Sequence, residues 1–321
     1  MPSTDSTTTK LPTSSGSSLF VRTWDAETPA RAVVVIAHGV SEHGERYDRI
    51  ARTFSKAGYR TYASDHRGHG KTATGALGDA GANGCSGILD DERALIEHAA
   101  AENRGVPLFF LGHSMGSIVA QRIIASHGDK LAGAILSGTV GKIGDPGLVT
   151  LANEAAKGEP NAPSALFGGM FASFNAPFEG TTATGFEWLS RDEAEVRKYV
   201  DDPMSGNPLT NATLADFLPG WMEASSDETR AAVPKSLPIL IVSGDQDPAG
   251  GNGAGPEELA TAYRALGITD VTLKLYPQAR HEVFNETNRD EVEADVTDWI
   301  GRHVEARLDR MDRRFERLET P

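Results

Sequence analysis

The sequence predicts an α/β protein: a mostly parallel sheet of about eight strands in a three-layer sandwich, interrupted by one long insertion. Two observations carry the prediction. From residue 18 onward, short apolar runs rich in β-branched residues alternate with amphipathic stretches, which is the order of βαβ units with helices on both faces of a sheet. The alternation stops after Ser137, and roughly ninety residues pass before the next strand-like run, far more than a connection in a compact domain needs. A chain of 321 residues with 39% hydrophobic content is long enough for a full core.

In order, the expected strands are Ser18 to Trp24, Ala32 to Ala37, Arg60 to Ser64, Leu108 to Leu111, Ala132 to Ser137, Pro238 to Val242 and Val271 to Tyr276. The expected helices are Glu45 to Ala57, Asp90 to Ala101, Met115 to Ser126, Pro256 to Leu266 and Arg289 to His303. This divides the chain into a flexible N-terminal segment (1–17), a core (18–140 and 234–303), an inserted cap (141–233) and a C-terminal amphipathic extension (304–321). The cap carries Phe171, Phe174, Trp188 and Trp221 among glycines and prolines. They either fill a small core of the cap itself or form the inner wall of an apolar pocket. In the extension, Val304, Leu308, Met311, Phe315 and Leu318 step by four and three like a short coiled-coil seam. Packing on the parent domain is expected, with a homodimer contact or a membrane-surface helix as further uses.

A formal charge of −14 and a pI near 5.1 argue against a nucleic-acid partner, since no basic cluster is available to displace counterions. The single cysteine, Cys85, excludes an internal disulfide and reads as a loop residue. Met1 to Ser18 has neither the basic nor the apolar part of a secretory signal, and no apolar run reaches membrane-spanning length, so a cytoplasmic location is expected. An apolar cap also allows peripheral contact with a membrane face.

The most informative segment is Gly112-His113-Ser114-Met115-Gly116. It follows an apolar strand-like run and precedes a helix pattern, the context in which Gly-x-Ser-x-Gly forms a nucleophile elbow. A serine hydroxyl is a weak nucleophile. It must stand on a sharp turn where a histidine can take its proton, and flanking glycines remove side chains that would collide. In a sheet of this kind the order is Ser, then acid, then His, each on a loop at the carboxyl edge. His281, after the last strand, is the expected base. Of the two aspartates in Gly244-Asp245-Gln246-Asp247, Asp247 is the expected acid, because a turn through Gly244 swings the later residue toward the imidazole while Asp245 holds the turn. The backbone N–H groups of Met115 and Val40 are the expected oxyanion donors, with Gly39 turning the backbone toward the site. His38, Gly39, His113, Phe171, Phe174, Trp188 and Trp221 are the expected substrate contacts.

His38, His43, His66, His69 and His113 lack the spacing and thiolates of a zinc site, and are expected to brace loops, as are Asp65 and Arg67. His303 is expected to face solvent, and Arg191, Asp192, Glu193 and Glu195 to form a solvated helix face. The stretches Gly78 to Gly87 and Gly250 to Gly255 lack a phosphate-binding ending and read as flexible loops beside the site, so no metal and no cofactor is implied.

Three segments, His38-Gly39-Val40-Ser41-Glu42-His43-Gly44-Glu45-Arg46-Tyr47, Asp65-His66-Arg67-Gly68-His69-Gly70 and the elbow, resemble in order and spacing the monoacylglycerol lipase and lysophospholipase family of serine α/β-hydrolases. Ala279 to Glu286 resembles that family's histidine loop, and the match runs from about Leu19 to Ile300, loosening in the cap. The resemblance implies an α/β-hydrolase fold, a triad of Ser114, Asp247 and His281, oxyanion donors Val40 and Met115, and hydrolysis of small-molecule acyl esters such as monoacylglycerols or lysophospholipids. The residues leave two alternatives: a proline-iminopeptidase-like enzyme, with Glu154, Glu187 or Asp202 gripping an amino terminus, and a non-catalytic ligand receptor.

Overall fold

The computed structural model describes residues 6–14, 16, 18–143, 145–178 and 184–319, the side chains of residues 310–319 excepted. The strands β1 (Thr7–Pro12), β2 (Ser18–Trp24), β3 (Ala32–Ala37), β4 (Tyr59–Ser64), β5 (Leu108–His113), β6 (Gly133–Ser137), β7 (Ile239–Gly244) and β8 (Val271–Tyr276) form one sheet in the order β1-β2-β4-β3-β5-β6-β7-β8. β1 and β4 each pair with β2 antiparallel, and the remaining pairs are parallel. Every residue of β3, β5, β6 and β7 is buried, which is why these strands read as unbroken apolar runs.

The helices are α1 (Asp48–Lys56), α2 (Gly84–Glu102), α3 (Met115–His127), α4 (Pro146–Gly158), α5 (Ala165–Asn175), α6 (Glu193–Asp201), α7 (Asn211–Ala224), α8 (Asp227–Ala231), α9 (Ala254–Ala265) and α10 (Arg289–Glu319). α1 and α10 cover one face of the sheet through Phe54, Val292, Val296 and Trp299. α2, α3 and α9 cover the other through Leu95, Ile123 and Leu259. The predicted three layers are present.

Five expectations need correction. The Ser/Thr-rich start is not wholly flexible: Thr7 to Pro12 pairs with Ser18 to Thr23 as an exposed edge strand, where β-branched threonines fit and where they shield β2. Cys85 and Gly84 to Gly87 are not loop. They form the first turn of α2, whose free Cys85 N–H donates to Asp216 Oδ2 of α7 at 2.7 Å, a cap supplied from far along the chain. The insertion does not simply fill its own core, because Phe217, Leu218 and Trp221 of α7 join the core of α2 and α3, while Trp188, Leu189 and Tyr199 form a separate cluster with Phe171, Phe174 and Phe186. Finally, α10 is continuous across the expected boundary at 303. Val304 is buried, but Leu308 is 51% exposed and does not pack on the domain, and the seam positions Met311, Phe315 and Leu318 fall outside the described side chains. His303 does not face solvent either. It bonds to Trp299 O at 2.7 Å and Asp270 Oδ2 at 3.0 Å. Among the described residues no helix is long and apolar enough to cross a membrane.

β3 lies between β4 and β5, so the chain leaves it in opposite directions on either side, and a crevice opens at the carboxyl edge. α3 starts hard against that edge. A Cβ on Gly116 would lie 2.1 Å from Ala37 O, and one on Gly112 would lie 2.2 Å from Gly116 O. Gly116→Ala is therefore expected to cost about 1–3 kcal/mol by overpacking against main chain, read as a lower urea midpoint with an unchanged slope.

Candidate active site

β5 runs straight into Ser114, and α3 begins at the next residue. Ser114 has φ 52° and ψ −118°, a conformation that costs a non-glycine residue roughly 1–3 kcal/mol and persists only when over-determined. Four bonds hold it. Its N–H donates to Ser137 O at 2.9 Å, and its carbonyl accepts from Ser117 N, Ser117 Oγ and Ile118 N at 2.8, 2.6 and 3.2 Å. The side chain stays partly exposed on the crest of the turn.

The loops after β7 and β8 meet beside His113, the residue before Ser114. Gly244 lets them touch, since a Cβ there would lie 2.0 Å from Ala279 O. Asp247 is fully buried, and its Oδ2 accepts from His281 Nδ1 at 2.9 Å while Oδ1 accepts from Ala249 N at 2.9 Å. Asp245 turns outward, and its Oδ1 accepts from Gln278 N at 2.6 Å, holding the turn. With Nδ1 tied to a carboxylate, the free Nε2 is the basic nitrogen of His281. Burial opposes charge on this ring, but Asp247, and beyond it Glu282 and Glu42, raise its pKa above the ordinary histidine value. The His113 ring lies 4.8 Å from that of His281 and is pushed down to about 4 by burial and by His281 itself, so it stays neutral.

The loop after β3 closes the other side. A Cβ on Gly39 would lie 3.2 Å from Ser114 Cβ, which puts this backbone against the elbow. The Gly39 N–H is already engaged, donating to Glu42 Oε1 at 2.6 Å. Among the described residues neither the Val40 nor the Met115 N–H donates to a protein acceptor, so both are available to an oxygen placed at Ser114.

The expected substrate contacts separate into three groups. Phe171, Phe174 and Trp188 pack on one another with ring centres 5.1–6.3 Å apart, and Trp188 lies 4.7 Å from the His281 ring. Trp221 lines a small apolar cavity with Met115, Ile118 and Phe217. His38 does not belong with them. It is fully buried, its Nδ1–H donates to Gly39 O at 2.6 Å, its Nε2 accepts from His66 N at 2.9 Å, and its ring sits 4.0 Å from that of His66. Burial, and then His66 and His69, hold its pKa well below the ordinary value, so it is a neutral loop brace. Asp65 braces in the same way, accepting from Arg22, Gly44 N and Lys71 N.

Sequence reasoning passed over the groups that fix the histidine loop. Glu286 is fully buried and accepts from Arg280 N at 2.8 Å and from Arg191 N and Nε at 3.1 and 2.8 Å. Asp192 caps α6 and pairs with Arg289. Arg191 and Asp192 are thus links between cap and core rather than parts of a solvated face. Gly138, at φ 53°, sits against His281 O and the His113 ring. Its only sequence signal is the glycine ending β6.

Residues 28–288 match the family model Hydrolase_4, described as serine aminopeptidase, S33. The monoacylglycerol lipase of Mycolicibacterium smegmatis is 33% identical over 287 residues, covering 88% of this chain and 92% of that protein. The crystal structure of a thermostable carboxyl esterase from Bacillus coagulans in complex with glycerol is 29% identical with a TM-score of 0.86, covering 94% of this chain and all of that one. A soluble variant of the monoglyceride lipase of Saccharomyces cerevisiae shares the fold at a TM-score of 0.73 and 22% identity, covering 94% and 96% of the two chains. This chain is a serine hydrolase of the α/β-hydrolase fold and belongs to the Hydrolase_4 family, among the monoacylglycerol lipases.

Proposed function

We propose that this serine hydrolase cleaves carboxylic acyl esters, monoacylglycerols foremost, through an acyl-enzyme carried by Ser114, His281 and Asp247. The observation that carries the reading is the buried bond from His281 Nδ1 to Asp247 Oδ2, with a serine held at positive φ directly after His113, whose ring lies 4.8 Å from that of His281. Ser114 Oγ attacks the ester carbonyl as its proton passes to His281 Nε2, and the oxyanion faces the N–H groups of Val40 and Met115. The proton then goes to the leaving alcohol as the acyl–oxygen bond breaks, and water, deprotonated by the same imidazole, releases the acid. Asp247 stabilises the imidazolium without taking the proton. The apolar group of Phe171, Phe174 and Trp188 next to His281 favours a medium or long acyl chain. The named activity of the Mycolicibacterium relative and the glycerol bound to the Bacillus esterase favour glycerol as the alcohol.

The family description also names an aminopeptidase. Against that reading, Glu187 accepts from Thr184 and Asn175, Asp202 from His43, Met204 and Ser205, and Glu154 sits at the surface with Lys157. None of the three is poised to grip an amino terminus.

The test is a hydrolysis series on p-nitrophenyl esters from acetyl to palmitoyl, monoacylglycerols, lysophosphatidylcholine and a proline anilide. Ester turnover is expected, without anilide cleavage, and Ser114→Ala should lose it by roughly 10⁶-fold; anilide cleavage alone would transfer the assignment to a peptidase. Asp247→Asn should lower kcat by about 10³–10⁴-fold through the wrong histidine tautomer, while Asp245→Asn should stay within roughly twofold. The reverse order would move the acid to Asp245. Because His281 must be neutral to accept the proton and its pKa is raised, kcat/KM should fall on the acid side with a midpoint above the ordinary histidine value of about 6.5.

A further inference from the structure

We propose that Arg46 is a positioning residue for the reaction put forward above, on which this inference rests: with Glu42 and Glu282 it sets the oxyanion loop and the histidine loop in register. Arg46 lies in the turn Gly44–Tyr47 after β3, with its side chain 11% exposed. Its Nη1 donates to Glu42 Oε2 at 2.6 Å and to Glu282 Oε1 at 2.5 Å, and its Nη2 donates to Glu282 Oε2 at 2.7 Å. The fork is thus bidentate on the residue that follows His281. The second oxygen of Glu42 accepts from Gly39 N at 2.6 Å and from Tyr47 Oη at 2.9 Å, one residue before the candidate donor Val40.

The cap grips the same loop from the opposite side. Tyr199 of α6 lies 4.8 Å under the Arg46 guanidinium and donates its hydroxyl to Ser41 O at 2.9 Å. Ser41 O also accepts from Gly206 N at 2.8 Å, and Ser41 Oγ donates to Asn207 O at 2.6 Å. Ser41 itself holds φ 59°. Loop 39–42 is therefore clamped between Glu42 below and the cap above, and Arg46 joins that clamp to the base.

One cation between two carboxylates leaves a net negative charge near the imidazole. The charges that raise the His281 pKa are those of Asp247, Glu282 and Glu42, and the rings of neutral His113 and of Trp188 lie 4.8 and 4.7 Å from the imidazole. Burial alone would raise the Glu282 carboxyl, yet Arg46 more than offsets this and holds it ionised. A buried trio of this kind is a weak source of stability, and an apolar replacement of similar volume is often neutral. Its geometry is what lysine cannot reproduce, since an ammonium has the charge without the planar fork.

The experiment is steady-state kinetics on p-nitrophenyl butyrate across pH, using the full chain, with melting curves and Ser114→Ala as the blank. Arg46→Lys should lower kcat about 10–100-fold with KM within about twofold. Glu282→Gln should move the acid limb of kcat/KM to lower pH, because a charge that raises the His281 pKa is gone. Tyr199→Phe keeps the ring under Arg46 and deletes only the Ser41 bond, so a fall in kcat of about 3–10-fold is expected, and it carries the test if Glu282→Gln does not fold. Wild-type kcat in folded Arg46→Lys or Tyr199→Phe, or an unmoved acid limb in Glu282→Gln, overturns the proposal. Hydrolysis that persists in Ser114→Ala would instead overturn the reaction itself, so the two failures are distinguishable.

Discussion

The site depends on one close approach: the first turn of α3 lies directly on the last peptide of β3, because Gly116 has no side chain to hold them apart. A Cβ there would fall 2.1 Å from Ala37 O and 2.6 Å from His38 O. From that contact the rest of the geometry follows. Ser114 is lifted onto a strained turn, and the loop after β3 is brought beside it, with Gly39 against Ser114 Cβ. The strain at Ser114 is tolerated because the Ser137 carbonyl and the first turn of α3 fix its peptide groups from both sides. Catalytic geometry here is a consequence of how two parallel strands and one helix pack.

Around this backbone arrangement the loops are fixed by buried charge as well as by apolar contact, Ala279, Val283 and Phe284 of the histidine loop lying in the core. Arg22 holds Asp65, Arg46 holds Glu42 and Glu282, Arg191 holds Glu286, and His281 holds Asp247. Desolvation makes each pair an inefficient stabiliser of the fold. What each pair adds is direction: a carboxylate with several donors around it fixes the orientation of the loop that carries it. The loops after β3, β4, β7 and β8 each carry at least one such anchor.

The central strands and the elbow were legible because their signals are local. An apolar run fixes β3, β5 and β7, and a glycine-flanked serine between strand and helix fixes the turn. Choosing Asp247 over Asp245 needed only the length of the turn after Gly244, and the structure sets Asp247 on His281 and Asp245 on Gln278 N. What escaped reading depends on distant partners. β1 is a polar run that becomes a strand only because β2 offers an open edge. The glycine-rich start of α2 is helical because Asp216, more than a hundred residues on, caps it. His38 looked like a substrate contact from its place in the loop, but its ring is taken by the backbone of His66. Arg46 and Glu282 stood in the matched segments without a role, since only folding brings them together.

The cap divides by what holds it. Residues 188–207 are joined to the reacting loops through main chain: His281 N donates to Trp188 O at 3.3 Å, Glu282 N to Leu189 O at 2.8 Å, and Gly206 N to Ser41 O at 2.8 Å. The α4–α5 hairpin is different. Its main chain is tied at the turn between its helices, where Ser164 N donates to Leu209 O and Asn211 N to Ala162 O, and it meets the rest through Asn175, whose Oδ1 accepts from Trp188 N at 3.0 Å, and through the side chains of Phe171 and Phe174. Leu151 on α4 remains 60% exposed. A change in the first part disturbs loop 39–42 and the loop carrying His281 together, whereas a change at Phe171 or Phe174 reshapes an apolar cluster. The apolar side chains of the hairpin can therefore vary with less effect on the two loops than residues 188–207, which are bound to those loops by backbone.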